Sequence, residues 1–144
     1  MTYYYEDLTV GLTQSMSHTV SERDVQLFGE ITGDMNPVHF DEDYARKTVF
    51  RGRVAHGALT IGFVSAVMGT KLPGPGTIFL SAAIRFKAPV RIGDTVVTTC
   101  RVAEIRERRN VVIDCRCEVN GAAVVEAEVL VMAPKKPPQV ETPA

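Results

Sequence analysis

The chain has 144 residues, of which 45% are apolar and 23% charged, and a formal net charge of −1. These are the proportions of a soluble globular protein that fits one domain, and so small a net charge sets up no whole-molecule field to draw in nucleic acid or an anionic membrane. The longest apolar stretch, 58–68, is shorter than the roughly 20 residues needed to cross a bilayer, so no membrane partner is expected.

The N-terminus, Met1-Thr-Tyr-Tyr-Tyr-Glu-Asp, lacks the basic and apolar regions of a secretory signal. It has no Arg-rich, acid-poor leader either, so a transit peptide would have to have been removed already, and a cytoplasmic location is the expectation. Ser21 can cap a helix, with Asp24 as the reciprocal acid of a capping box; Val25, Phe28 and Ile31 then recur at helical spacing. Gly33 stands where a C′ glycine ends such a helix. The segment 34–41 contains Asn-Pro and is expected to be a tight, fixed loop, followed by a short helical turn over 41–46. A second helix is expected from 58 to 69. It is apolar on most sides, so it should be buried and wrapped on several faces.

After Pro73-Gly-Pro-Gly the pattern turns to strands. Ile84, Phe86 and Ala88 alternate with Arg85 and Lys87; a turn follows at 91–94. Val96, Thr98, Cys100 and Val102 open the next run. Val111, Ile113, Cys115, Cys117 and Val119 form another, with Asp114, Arg116 and Glu118 on the opposite face. Asn120-Gly121 is a hairpin signal, and Val125, Ala127, Val129 and Val131 close the series. Three consecutive strands with one apolar face make a meander that needs a cover, and the apolar helix supplies it. The expectation is an α+β domain over 1–133, one antiparallel sheet curled around one helix, with a disordered Pro-rich tail over 134–144. Cys115 and Cys117 point to one face and read as small apolar core residues; no nearby cluster completes a metal site around them.

Chemistry concentrates in two places. In 33–41, Asp34 and His39 stand five residues apart in a loop stiffened by Pro37, and such a pair can take a proton and return it. Read bare, Asp34 and Asn36 serve equally well as Asx-turn residues, and His39 as a cap on a carbonyl. In 54–59, a helix starting near Gly57 would offer free N–H groups to an oxyanion. His56 on its own reads as a capping or packing residue. Ser65 reads as a hydroxyl bonded back to a carbonyl one turn earlier, with contact to the reacting groups as the alternative. Arg85, Lys87 and Arg91 form either a solvated face or a site for a nucleotide phosphate. The chain has no Gly-x-Ser-x-Gly elbow, dinucleotide fingerprint, P-loop or His-Glu-x-x-His.

Together, Asp34-x-Asn36-Pro37-x-His39, Ala55-His56-Gly57-x-Leu59 and Phe86-Lys87-Ala88-Pro89-Val90 with Gly93-Asp94 resemble the MaoC-like hydratases. Among these, the short stand-alone R-specific enoyl-CoA hydratases are the most similar. The resemblance implies a hot-dog fold and a homodimer with acyl-CoA bound at its interface. The implied reaction is reversible hydration of a trans-2-enoyl-CoA to the (R)-3-hydroxyacyl-CoA. It further implies Asp34 as base toward a water, His39 as the residue that orients the water and exchanges the proton, and Gly57 as oxyanion donor. Asn36 and Pro37 would shape the loop, with Ser65 nearby, and no metal or redox cofactor is expected. The rival readings are a hot-dog thioesterase, disfavoured by the absence of Asp and Glu from 58–68, and a non-catalytic acyl-thioester binding module. A dehydratase acting on acyl carrier protein is a variant of the first reading.

Overall fold

The computed structural model describes residues 1–138. Five strands form one sheet in the order β1-β3-β4-β5-β2: β1 is Thr13–Thr19, β2 Ile78–Phe86, β3 Thr95–Ile105, β4 Asn110–Val119 and β5 Ala122–Met132. Every neighbouring pair is antiparallel. The meander β3-β4-β5 follows the alternating sequence pattern, and its hairpin turns at Asn120 and Gly121, both with positive φ, as a type I′ turn requires. One sheet face buries Val96, Cys100, Val102, Val111, Ile113, Val129 and Val131. Helix α4, Gly57–Thr70, lies against that face through Thr60, Val64, Val67 and Met68, which gives the α+β arrangement expected from the pattern and the hot-dog fold that the resemblance implies.

Three helices precede α4. Helix α1, Glu22–Thr32, begins with the Ser21/Asp24 capping box and ends at Gly33, whose φ of 79° is the left-handed C′ conformation. Helix α2, Pro37–Phe40, is one turn, capped by the Asn36 side chain on the Val38 N–H with Pro37 at its first position. Helix α3, Glu42–Arg46, is capped by Asp41.

Several expectations need correction. Strand β1 was not anticipated, because Thr-Gln-Ser-Met-Ser-His-Thr has Met16 as its one apolar residue and carries no period-2 apolar signal; as an edge strand it buries little. Strand β2 starts at Ile78 and stops before Ala88, and all nine of its residues are exposed, so Ile84 and Phe86 do not face the core. Helix α4 is covered on one side only. Its open face carries Ala58, Gly62, Ser65 and Gly69, whose small side chains gave the sequence no polar stripe by which to tell that face from the buried one. The three cysteines are free and buried, as expected of core residues. Within the tail, the Pro134 carbonyl accepts from Tyr5 N–H and Lys136 N–H donates to Glu6; the expectation for 139–144 lies outside the described residues.

Candidate active site

The loop between α1 and α2 is tied down from three directions at Asp34. The Thr32 hydroxyl accepts from Asp34 N–H at 3.1 Å, the carboxylate Oδ1 accepts from Asn36 N–H at 3.3 Å, and the main-chain carbonyl accepts from His56 Nε2 at 3.0 Å. The carboxylate thereby makes the Asx turn that the bare sequence allowed, and it remains exposed. Asn36 and Pro37 then start α2, whose single turn carries His39 back toward Asp34.

His39 is 8% exposed. Its Nδ1 meets the Val54 carbonyl at 2.8 Å. A carbonyl only accepts, so Nδ1 carries the hydrogen and Nε2 of the neutral ring is left with a lone pair. Burial holds the His39 pKa below the usual histidine range, opposed by the bond to Val54 and by the Asp34 carboxylate. The ring stacks on His56 with centroids 3.8 Å apart, and the Phe28 ring also packs on His56, at 4.6 Å.

The partners that hold this loop come from the segment leading into α4. Arg53 Nε donates to the His39 carbonyl at 2.7 Å, and its Nη2 reaches Glu22 at 2.8 Å, joining α1 to the loop. Val54 N–H donates to the Val38 carbonyl at 3.2 Å. Neither Arg53 nor Val54 was singled out from the sequence. Val54 acts through its backbone, which no side chain reports, and Arg53 lies in no motif of the sequence. The only advance signal was their place next to Ala55-His56-Gly57.

At the start of α4, His56 is the N-cap residue but supplies no side-chain cap. Leu59 N–H is taken by the His56 carbonyl at 3.1 Å, and the N–H groups of Gly57 and Ala58 have no acceptor among the described residues. A Cβ on Gly57 would come within 2.7 Å of Phe86 Cε1, so glycine here is what lets the strand-end ring lie over the helix start. Around these groups is a cavity of about 310 Å³ whose walls include Asn36, His39, Phe50, Gly57, Thr60 and Phe86. A wider depression of about 700 Å³ crosses the solvent face of the sheet over Arg101, Arg116 and Glu126, but of the candidate residues it holds only Arg85.

The remaining candidates lie apart from this cluster. Ser65 is exposed on α4, and its hydroxyl makes no hydrogen bond among the described residues, which corrects the expected bond to a preceding carbonyl. Arg85 stands opposite Glu126 in the β2-β5 register, and Lys87 Nζ lies 3.9 Å from the Glu126 carboxylate. The Arg91 guanidinium turns inward onto the carbonyls of Arg53 and Phe50, at 3.2 and 2.5 Å, and so braces the loop.

Asp34, His39 and His56 each bring one potential ligand atom to within 4.8 Å of the others, the one such group of three found among the described residues. A carboxylate and an imidazole ring held this close can share one water or pass one proton.

Residues 9–122 match the family model described as the MaoC like domain. The chain is 47% identical over 135 residues to an (R)-specific enoyl-CoA hydratase of Rhodospirillum rubrum, covering 93% of this chain and 94% of that protein. It is 50% identical over 134 residues to a 3-hydroxybutyryl-CoA dehydratase of Methylorubrum extorquens, covering 92% and 85%. Among solved structures it is similar to the R-hydratase PhaJ1 of Pseudomonas aeruginosa, with a TM-score of 0.88, 38% identity and coverage of 99% and 95%.

Proposed function

Because the chain belongs to the MaoC-like domain family, and its similar relatives are hydratases and dehydratases of CoA thioesters over nearly their whole length, we propose that it is a hydro-lyase that reversibly hydrates trans-2-enoyl-CoA to (R)-3-hydroxyacyl-CoA. The observation that carries the chemical reading is the approach of the Asp34 carboxylate to the His39 ring, whose Nδ1–H is committed to Val54. With its Nδ1–H so committed, the neutral His39 ring keeps Nε2 as an acceptor, and the Asp34 carboxylate is a second acceptor close to the ring. A water that donates one hydrogen to each, at about 2.8 Å, spaces its two acceptors roughly 4.4 Å apart. A carboxylate oxygen and a ring nitrogen within 4.8 Å of each other leave room for such a water. So held, the water turns its oxygen lone pairs away from both acceptors and toward the substrate.

In the proposed reaction the Gly57 N–H donates to the thioester oxygen as negative charge develops there, which makes the β-carbon electrophilic. Asp34 takes a proton from the water as its oxygen bonds to that carbon, while His39 orients the water. The proton then returns, with His39 exchanging it, to the α-carbon on the same face, giving the R product. Asn36 and Pro37 shape the loop. Arg85 and Lys87 are the cations left to meet the nucleotide phosphates, since Arg91 is engaged on two carbonyls.

A homodimer is part of this reading. The edge strand β2 exposes Ile78, Phe79, Leu80, Ile84 and Phe86 beside unpaired backbone groups, a surface that a second copy would cover.

The test is the absorbance of the conjugated enoyl thioester of crotonyl-CoA, followed together with free thiol. Loss of absorbance without thiol, with chiral analysis giving the R-3-hydroxy product, is expected. Thiol release would make the protein a thioesterase, and binding without turnover of short or longer enoyl chains would make it a binding module.

A further inference from the structure

His56 caps nothing with its side chain although it is the N-cap residue of α4, and it is only 2% exposed. Its Nε2 bonds to the Asp34 carbonyl, so Nε2 carries the hydrogen and Nδ1 is bare. That Nδ1 is buried without a partner. A buried polar atom left unpaired is destabilising, so an apolar side chain of similar size would serve packing alone better. The ring earns its place through its other edge and its face.

The edge holds Asp34. Asp34 sits in exposed backbone where water competes for its carbonyl, and His56 Nε2–H is the bond that ties that carbonyl to the body of the protein. The face holds His39, stacked at 3.8 Å. One buried ring therefore touches both members of the pair, from the residue immediately before Gly57. We propose that His56 is a positioning residue for the reaction: it fixes the separation of the Asp34 carboxylate and the His39 ring, and aligns both with the start of α4. This rests on the hydration reading above. The carboxylate acts on water and does not hold the acyl-CoA, so losing this register should lower kcat and leave KM nearly unchanged.

Leucine and glutamine are close to each other in size, but only glutamine can donate to the Asp34 carbonyl. His56→Leu should lose on the order of 10²-fold in kcat, the scale of a misplacement of about 1 Å, with little change in KM. His56→Gln should recover at least about tenfold of that loss, the scale of one hydrogen bond, at equal thermal stability. In the wild-type protein, ring ¹⁵N shifts should show His56 protonated on Nε2 and bare on Nδ1, a readout that needs no variant to fold. The proposal is overturned if His56→Leu keeps its kcat, if both variants fall together in step with their melting temperatures, or if His56 is protonated on Nδ1. Wild type and Asp34→Asn run alongside. A wild type that hydrates nothing would remove the functional reading and this inference with it. An active wild type, an inactive Asp34→Asn and an active His56→Leu would remove only the role of His56.

Discussion

The Nδ1–H of His39 is donated to the main-chain carbonyl of Val54 at 2.8 Å, and this bond fixes which ring nitrogen is left for chemistry. Val54 belongs to the segment that runs into α4, so the tautomer of His39 is set by the same short stretch that places Gly57. With Arg53 on the His39 carbonyl and His56 on the Asp34 carbonyl, residues 53–56 form the bracket on which the loop 34–39 hangs.

The first expected consequence concerns pH. Burial keeps the His39 pKa below its ordinary value of about 6.5, so the acidic limb of kcat/KM should fall below that pH. The unfolded chain, with the ordinary value, takes up the proton first as pH drops. Stability from the neutral ring is thus complete above about 6.5 and is lost as pH falls from there toward the folded value. Denaturant unfolding at pH 7.5 and 5 should show this loss in the wild type and a smaller one in His39→Gln.

Arg53 should matter to both fold and rate. Replacing it with Met removes two charge-assisted bonds, to the His39 carbonyl and to Glu22, at an expected cost of about 1–3 kcal/mol in denaturant unfolding. Kcat should drop in the folded fraction as well. An unchanged unfolding midpoint would show that solvent replaces both bonds.

Gly57→Ala would bring a methyl to 2.7 Å from the Phe86 ring. The ring is 59% exposed and can swing aside, so the stability cost should stay near the low end of the ~1–3 kcal/mol typical of overpacking. Swinging it aside removes one wall of the cavity, so kcat/KM for crotonyl-CoA should fall. Phe86→Ala in the same chain should relieve the stability loss without restoring kcat/KM.

Much of the fold was legible because its signals are local. The capping box at Ser21, the C′ glycine at Gly33 and the Asn120-Gly121 turn each name their own conformation, and the three meander strands alternate cleanly. What stayed hidden depends on partners distant in sequence. β1 is a strand because it lies beside β3, and nothing in its polar residues says so. The exposure of β2 and of one α4 face depends on what the rest of the chain leaves uncovered. In the site, the residue types of Asp34 and His39 and their Asx-turn spacing were readable. The backbone acceptor at Val54, the Arg53 brace and the ring stack were not, because they arise only when 53–56 meets 34–39.

Association state follows from the open edge. In solution the chain should run as a dimer, and Ile84→Lys, placing a charge on the exposed apolar strand, should shift it toward monomer by light scattering. A wild-type monomer at micromolar concentration would remove the homodimer from the account.

The central claim is that Asp34 and His39 together move the water, and kcat for crotonyl-CoA hydration by folded Asp34→Asn and His39→Ala tests it most directly. Each substitution should lower kcat by at least ~10²-fold, the lower end of acid–base contributions, while circular dichroism stays that of the wild type. Near-wild-type turnover by either folded variant would contradict it.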